Sequence, residues 1–146
     1  MIAGNSFLYE EIGMRLKNIL IVVSDVERSK RFYHDLFGLQ VIRDFGDNVI
    51  LSEGLVLQGQ DNWEKLTEFN TVTENASELF FCLGIQGNGP GDHFIGEEND
   101  LGAFLLSVDK YPEKIEIVGD IRENSWGKRV VMLKDPDGHL IEVAEA

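Results

Sequence analysis

A glutamate interrupts an apolar strand near the carboxyl end of the chain. In the run from His139 to Ala144, alternation places Glu142 on the face opposite Ile141 and Val143. Glu142 therefore points into whatever this strand encloses, where a carboxylate needs a cation, hydrogen-bond donors or water. The pattern favours a metal ligand or a general base. The structural alternative is a carboxylate satisfied by a neighbouring basic side chain or backbone amide.

Three more polar side chains stand at the ends of apolar runs. Asn18 lies near the start of one run, Gln58 ends a second beside Val56, and Glu78 begins a third that continues with Phe80 and Cys82 on its face. A neutral amide at a strand end more often makes core hydrogen bonds than ligates a metal. Asn18 and Gln58 are therefore weaker candidates than the two glutamates. Cys82 is expected to be small core filler.

The elements that position these residues repeat once along the chain. An apolar strand, expected to be covered on both faces, precedes a helix that a Ser24/Glu27 capping box would start. Three short strands follow, and the second half repeats the order. The predicted strands are Leu16–Val23, Leu39–Phe45, Val49–Ser52, Leu55–Gln58, Glu78–Ile85, Ile115–Val118, Lys128–Leu133 and His139–Ala144. The pattern predicts an α+β fold of two βαβββ modules, with a short linking helix from Trp63 to Phe69.

Both ends of the chain resemble one family. The closing motifs are Trp126-Gly127, Asp135-Pro136-Asp137-Gly138 and Ile141-Glu142, and the opening ones are the strand Lys17–Asp25 with Ser29 and Phe32-Tyr33. These are similar to the signature of the vicinal oxygen chelate superfamily, which contains glyoxalases, bleomycin-resistance proteins and extradiol dioxygenases. The resemblance implies one domain over residues 15–146, in modules 15–60 and 77–146, after an extension at 1–14. Its mixed sheets would curve around a cavity, often at a dimer interface.

The resemblance also implies a set of metal ligands, since the first and last strands of each module supply them. Carried onto this chain, the set is Asn18, Gln58, Glu78 and Glu142. His93 is an alternative to Glu78, because it precedes Asp100 by the interval that separates Asn18 from Asp25. The apolar strand after Glu78 favours the glutamate. The glycine-rich loop at 84–99 is expected to be mobile, with a lid as the alternative.

The ligand types limit the chemistry. Without histidine, the set lacks the two-His, one-carboxylate triad of extradiol dioxygenases, so that activity is not expected. Amide and carboxylate oxygens suit Mg²⁺, Mn²⁺ or Ca²⁺ better than Zn²⁺ or Ni²⁺. With such an ion, Glu78 or Glu142 would move a proton beside an enediolate, as in a glyoxalase-type lyase or isomerase. Without one, the pocket would bind or sequester an apolar or cationic small molecule.

Composition narrows the class of partner. The 146 residues carry 26 acidic and 13 basic side chains, a formal net charge of −13, which argues against nucleic acid and anionic membranes as partners. No apolar run approaches a membrane span, and no signal peptide is evident. The single cysteine marks no oxidising compartment. We therefore expect a cytoplasmic protein with a small-molecule ligand, and the resemblance implies a homodimer.

Overall fold

The first module is a four-stranded sheet with helices. The structure, a computed structural model, describes residues 13–68, 78–83 and 101–145. Strand β1 (Ile19–Val23) leads into helix α1 (Val26–Phe37), followed by β2 (Val41–Asp44), β3 (Asn48–Leu51), β4 (Leu55–Gly59) and helix α2 (Gln60–Thr67). The sheet order is β1-β4-β3-β2, with β1 parallel to β4 and the other pairs antiparallel. This is the predicted βαβββ order.

The second module repeats this arrangement. Its elements are β5 (Glu78–Cys82), α3 (Leu101–Lys110), β6 (Arg122–Glu123), β7 (Arg129–Lys134) and β8 (Leu140–Ala144). The sheet order is β5-β8-β7-β6, and β5 and β8 are again the parallel pair. The two mixed sheets curve without closing, which confirms the α+β class and the paired modules. No helix in the described ranges has the length and apolar character needed to cross a bilayer.

One hydrophobic core joins the modules. Helix α1 buries Ser29, Phe32 and Tyr33, and α3 buries Leu101, Phe104 and Val108. The same cluster contains the inward-facing residues of both sheets, which are Val23, Val49, Leu51, Leu55, Leu57, Val131, Leu133, Ile141 and Val143. Apolar burial stabilises by about 25 cal/mol per Å², so this shared core is the main link between the halves. The opposite faces of the two sheets carry the candidate site residues.

The turn between β7 and β8 adds polar links between the modules. Asp135 accepts a hydrogen bond from the Tyr33 hydroxyl at 2.7 Å, and Asp137 accepts one from the Ser24 backbone amide at 3.0 Å. The His139 ring lies 2.8 Å from the Val22 carbonyl oxygen, where Nε2 can donate. We call residues 135–139 the clasp turn. It fixes where β8 begins relative to the first module.

Three expectations about elements were wrong. Residues 115–118 form only a bridge between Ile117 and Leu133, and β6 is the second strand of its module. Strand β1 lies at the sheet edge, so Ile19 is 54% exposed instead of covered. Helix α1 is capped by Asp25, whose carboxylate accepts the Arg28 amide, instead of by Ser24. Each error follows from reading apolar or polar character without knowing which strand is an edge or which oxygen reaches the helix end.

Cys82 was also misjudged. Its strand β5 is an edge strand of the second sheet, and the thiol is exposed instead of filling a core. His93 and the whole of the 84–99 loop lie outside the described residues, as do residues 1–12.

Candidate functional site

Glu78 and Glu142 meet on the face of the second sheet that points away from the core. The parallel register aligns Phe80 with Glu142 and Glu78 with Leu140, so the two glutamates are diagonal neighbours. Partial burial raises the pKa of Glu78, and the hydrogen bond that its protonated form donates to Glu142, together with the charge of Glu142, raises it further. Burial and the nearby negative charge both disfavour ionisation of Glu78. We call Glu78 and Glu142 the acid pair.

Two aromatic rings stand beside the acid pair. Phe80 lies next to Glu142 across the strands, and its ring meets that of Trp126 edge to face, with centroids 5.4 Å apart. Phe80 is 38% exposed and Trp126 74% exposed. Large apolar rings left this open to solvent commonly mark a binding surface. We call Phe80 and Trp126 the aromatic pair. Met132 faces Glu142 from β7.

Asn124 also reaches this face, and sequence reasoning missed it. Its side-chain amide nitrogen lies 3.4 Å from Glu142 Oε2. The available signal was the Asn-Ser-Trp-Gly run before β7. Asparagine side chains often accept a hydrogen bond from the backbone two residues further on, and glycine favours turns, so such a run is typical of a turn closed by the asparagine. Among the described residues, the acid pair has no ion-pair partner. In those ranges, Asn124 is thus the side chain outside the pair that donates a hydrogen bond to it.

Asn18 and Gln58, which we call the amide pair, make hydrogen bonds elsewhere, on the first sheet. Gln58 is buried, its Oε1 accepts from Asn48 Nδ2 at 2.8 Å, and its Nε2 lies 3.1 Å from an Asp47 carboxylate oxygen. Asn18 donates to the Gly54 carbonyl at 3.4 Å. Gln58 is therefore a hydrogen-bonding residue that ties β4 to the β2–β3 turn. No hydrogen bond among the described residues joins the amide pair to the acid pair.

The donor set on one chain does not fit the four-ligand metal centre that the resemblance implies. Within the described ranges, no cluster of three His, Cys, Asp or Glu side chains could hold an ion. The acid pair supplies two carboxylates, and the Gln58 oxygen already has a donor. The four-residue ligand set stays a prediction, and so does the choice between Glu78 and His93.

Two surface depressions lie away from this face. One, of about 410 Å³, adjoins the clasp turn and is lined by residues that include Arg28, Phe32 and Lys134. The other, of about 630 Å³, is bordered by the short segment Lys114–Ile117. The first mixes acidic and basic side chains without converging on one charge, and neither contains the acid pair. The acid pair and the aromatic pair together remain the strongest candidate site.

Comparisons with known proteins agree with the fold. A family model for glyoxalase-like domains matches residues 16–146. A lactoylglutathione lyase of Salmonella typhimurium is 27% identical over 143 residues, 91% of this chain and 93% of that protein. A structure from Agrobacterium tumefaciens, of a protein of unknown function, is 28% identical over 92% of this chain and 95% of its own, with a TM-score of 0.69. A glyoxalase/bleomycin resistance protein/dioxygenase family enzyme from Burkholderia phytofirmans, 16% identical, covers 90% of this chain and 98% of its own, with a TM-score of 0.66.

Proposed function

Because this chain belongs to the family of glyoxalase-like domains, we propose that it binds a small aromatic cation on the open face of its second sheet, without needing a metal ion. The observation that carries the proposal is the acid pair lying beside the exposed aromatic pair. Carboxylates would attract the positive group, and the ring faces would hold the flat body. The protein then acts by binding or sequestering its ligand.

Electrostatics support a cationic ligand. The chain carries a formal net charge of −13, which attracts cations to its surface. The acid pair has no basic partner in the described part of the chain, so a bound cation would offset the effect of Glu142 that raises the pKa of Glu78. A cation over a tryptophan or phenylalanine face contributes roughly 0.5–2 kcal/mol more. An anionic ligand would meet only repulsion here.

The proposed site is completed by a second copy of the chain. The open face of the first sheet carries Leu20, which is 39% exposed, and the open face of the second carries the aromatic pair. Two apolar faces on one chain are self-complementary when a twofold axis brings the first sheet of one copy against the second sheet of the other. The acid pair would then be enclosed instead of lying on an open surface.

Calorimetry with benzyltrimethylammonium tests the proposal, with benzyl alcohol as the neutral probe of similar shape. We expect the cation to bind and the alcohol to bind at least about tenfold more weakly. Glu142→Gln and Trp126→Ala should each weaken cation binding by about tenfold, because each removes one of the two attractions. Glu113→Gln, an exposed acid outside the site, is the matched control and should leave the affinity unchanged.

Metal analysis after dialysis tests the alternative that the protein depends on a bound metal ion. One metal ion per chain, lost in Glu142→Gln, would overturn the metal-free binder. Equal affinity for the cation and the alcohol would overturn the electrostatic part of the proposal.

A lyase or isomerase is the second candidate, favoured by the identity to a lactoylglutathione lyase. The acid pair offers chemistry for it, because a protonated Glu78 beside an ionised neighbour could give and take a proton at a carbon next to a carbonyl. The assay is turnover of the hemithioacetal formed by glutathione and methylglyoxal. Turnover by the wild type that disappears in both Glu78→Gln and Glu142→Gln would establish an enzymatic function. If the wild-type chain binds benzyltrimethylammonium but shows no turnover, the binding function is supported instead.

A further inference from the structure

The turn that carries Trp126 is closed by one side chain. Asn124 lies between β6 and β7, and its side-chain oxygen accepts the backbone amides of Trp126 at 2.9 Å and Lys128 at 3.1 Å. Backbone hydrogen bonds from Asn124 to the Lys128 carbonyl and from Gly127 to the Asn124 carbonyl complete the turn. Gly127 has a φ of +79°, a conformation that glycine adopts without strain. The place of the Trp126 backbone therefore depends on the Asn124 oxygen.

The same side chain contacts the acid pair with its other end. The Asn124 amide nitrogen lies 3.4 Å from Glu142 Oε2, a long hydrogen bond. Asparagine can make both contacts because it has an acceptor oxygen and a donor nitrogen on one planar group. Aspartate would keep the acceptor and lose the donor, and alanine would lose both.

We infer that Asn124 is a positioning residue that holds Trp126 at a fixed separation from the acid pair. A ligand that uses both must have a positive group at one end and a flat apolar body at the other. The site then selects aryl cations over compact cations such as tetramethylammonium. The ligand preference rests on the proposed function, whereas the positioning role rests only on the contacts of Asn124.

Three basic side chains near this face, those of Lys134, Arg129 and Arg122, interact with other groups. Lys134 extends from the same face of β7 but pairs with Glu116 at 3.7 Å, and Arg129 pairs with Glu145 at 3.2 Å. Lys128 lies in the turn itself and Arg122 on β6 donates to the Val118 carbonyl. Among the residues described, Asn124 is the side chain outside the acid pair that makes a hydrogen bond to it.

The experiment compares Asn124→Asp with Asn124→Ala in the full-length chain, followed by nuclear magnetic resonance. In Asn124→Asp, nuclear Overhauser contacts between the Phe80 and Trp126 rings should persist, because the turn keeps its acceptor, and the titration of Glu78 should move to higher pH. In Asn124→Ala, those ring contacts should be lost. Ser125→Ala, in the same turn, should retain both wild-type signatures.

Ligand binding supplies the second readout. Wild-type protein should bind benzyltrimethylammonium about tenfold more tightly than tetramethylammonium, and Asn124→Ala should reduce that preference to near unity. Ring contacts that survive in Asn124→Ala, or vanish in Asn124→Asp, would overturn the positioning role. If Asn124→Ala does not fold, Asn124→Asp alone decides through its ring contacts and the Glu78 titration. A wild-type chain that binds neither probe would refute the proposed function, while the ring contacts would still decide the role of Asn124.

Discussion

Glu78 and Glu142 differ in how strongly the surrounding chain opposes their charge. Glu78 begins an edge strand, yet partial burial and the nearby Glu142 raise its pKa above the ordinary value of 4.5. The folded chain therefore holds this proton more tightly than the unfolded chain does. Stability is greatest below the ordinary value and declines as the pH rises through the folded-state pKa of Glu78. A cation bound between the carboxyls would counter that decline.

Glu142→Gln should lower the pKa of Glu78 toward its ordinary value, because the substitution removes a neighbouring charge and leaves only the effect of burial. The loss of stability between acid and neutral pH should shrink accordingly. Carbon-detected titration of the glutamate carboxyls and urea unfolding at pH 4 and pH 7 would measure both effects. Glu113→Gln serves as the control, and an unchanged Glu78 titration in Glu142→Gln would contradict the contact between the two acids.

At the scale of single residues, the sequence predicted which face of a strand a side chain lies on, but it did not predict which groups that side chain hydrogen-bonds. Alternation along β8 correctly put Glu142 on the face away from Ile141 and Val143, both of which are buried. The same reasoning could not show that Gln58 is bound by Asn48 and Asp47, since those partners come from a neighbouring strand and its turn. Asn124 escaped for the same reason: its role depends on a turn whose strand β6 was not predicted.

At the scale of elements, the clasp turn does more than reverse the chain. Asp135 is buried, and burial raises its pKa, while the Tyr33 hydroxyl and the backbone amides of Asp137 and His139 counter that effect by donating to it. A buried carboxylate is tolerated only when donors surround it. The Asp-Pro-Asp-Gly motif, which contributed to the family resemblance, thus has a physical role in fixing the start of β8.

Tyr33→Phe should destabilise the chain by about 1.5–3 kcal/mol, because it leaves one oxygen of buried Asp135 without its donor. Urea unfolding monitored by circular dichroism would measure the change. Tyr111→Phe is the matched control, since Tyr111 packs edge to face on Phe32 and its hydroxyl makes no hydrogen bond within the described ranges. This substitution should cost much less. Equal losses in the two variants would mean that the clasp contributes nothing specific.

Hydrophobic periodicity predicted the order of helices and strands along the chain, but it did not predict which strands lie at the edges of the sheets. That order was predicted for both modules, and in α3 the residues Leu101, Phe104 and Val108, at helical spacing, are buried. Strand pairing is a long-range property, so nothing local showed that β1 and β5 would lie at sheet edges with Ile19 and Cys82 exposed. A strand was predicted at Ile115–Val118, where only a bridge forms, because the apolar composition of this segment resembles that of a paired strand.

At the scale of the whole molecule, one core serves both modules, so their outward faces are left open together. The open faces hold the amide pair on one sheet and the acid pair on the other. The proposed twofold dimer places the first sheet of each copy over the second sheet of its partner. Sedimentation should then give twice the chain mass of 16.5 kDa. A monomer at all accessible concentrations would contradict this arrangement.

Mixing two defective chains tests whether each binding site draws on both copies. Asn18→Ala alters the first sheet and Glu142→Gln the second, so homodimers of either variant have two altered sites. In a mixed dimer with shared sites, one site combines the two intact sheets and the other combines the two altered ones. Equal mixing followed by exchange should therefore restore roughly a quarter of the wild-type number of tight benzyltrimethylammonium sites. If each site instead lay on the second sheet of a single chain, Asn18→Ala alone would bind like the wild type, and calorimetry would detect tight sites on about half of the chains in the mixture.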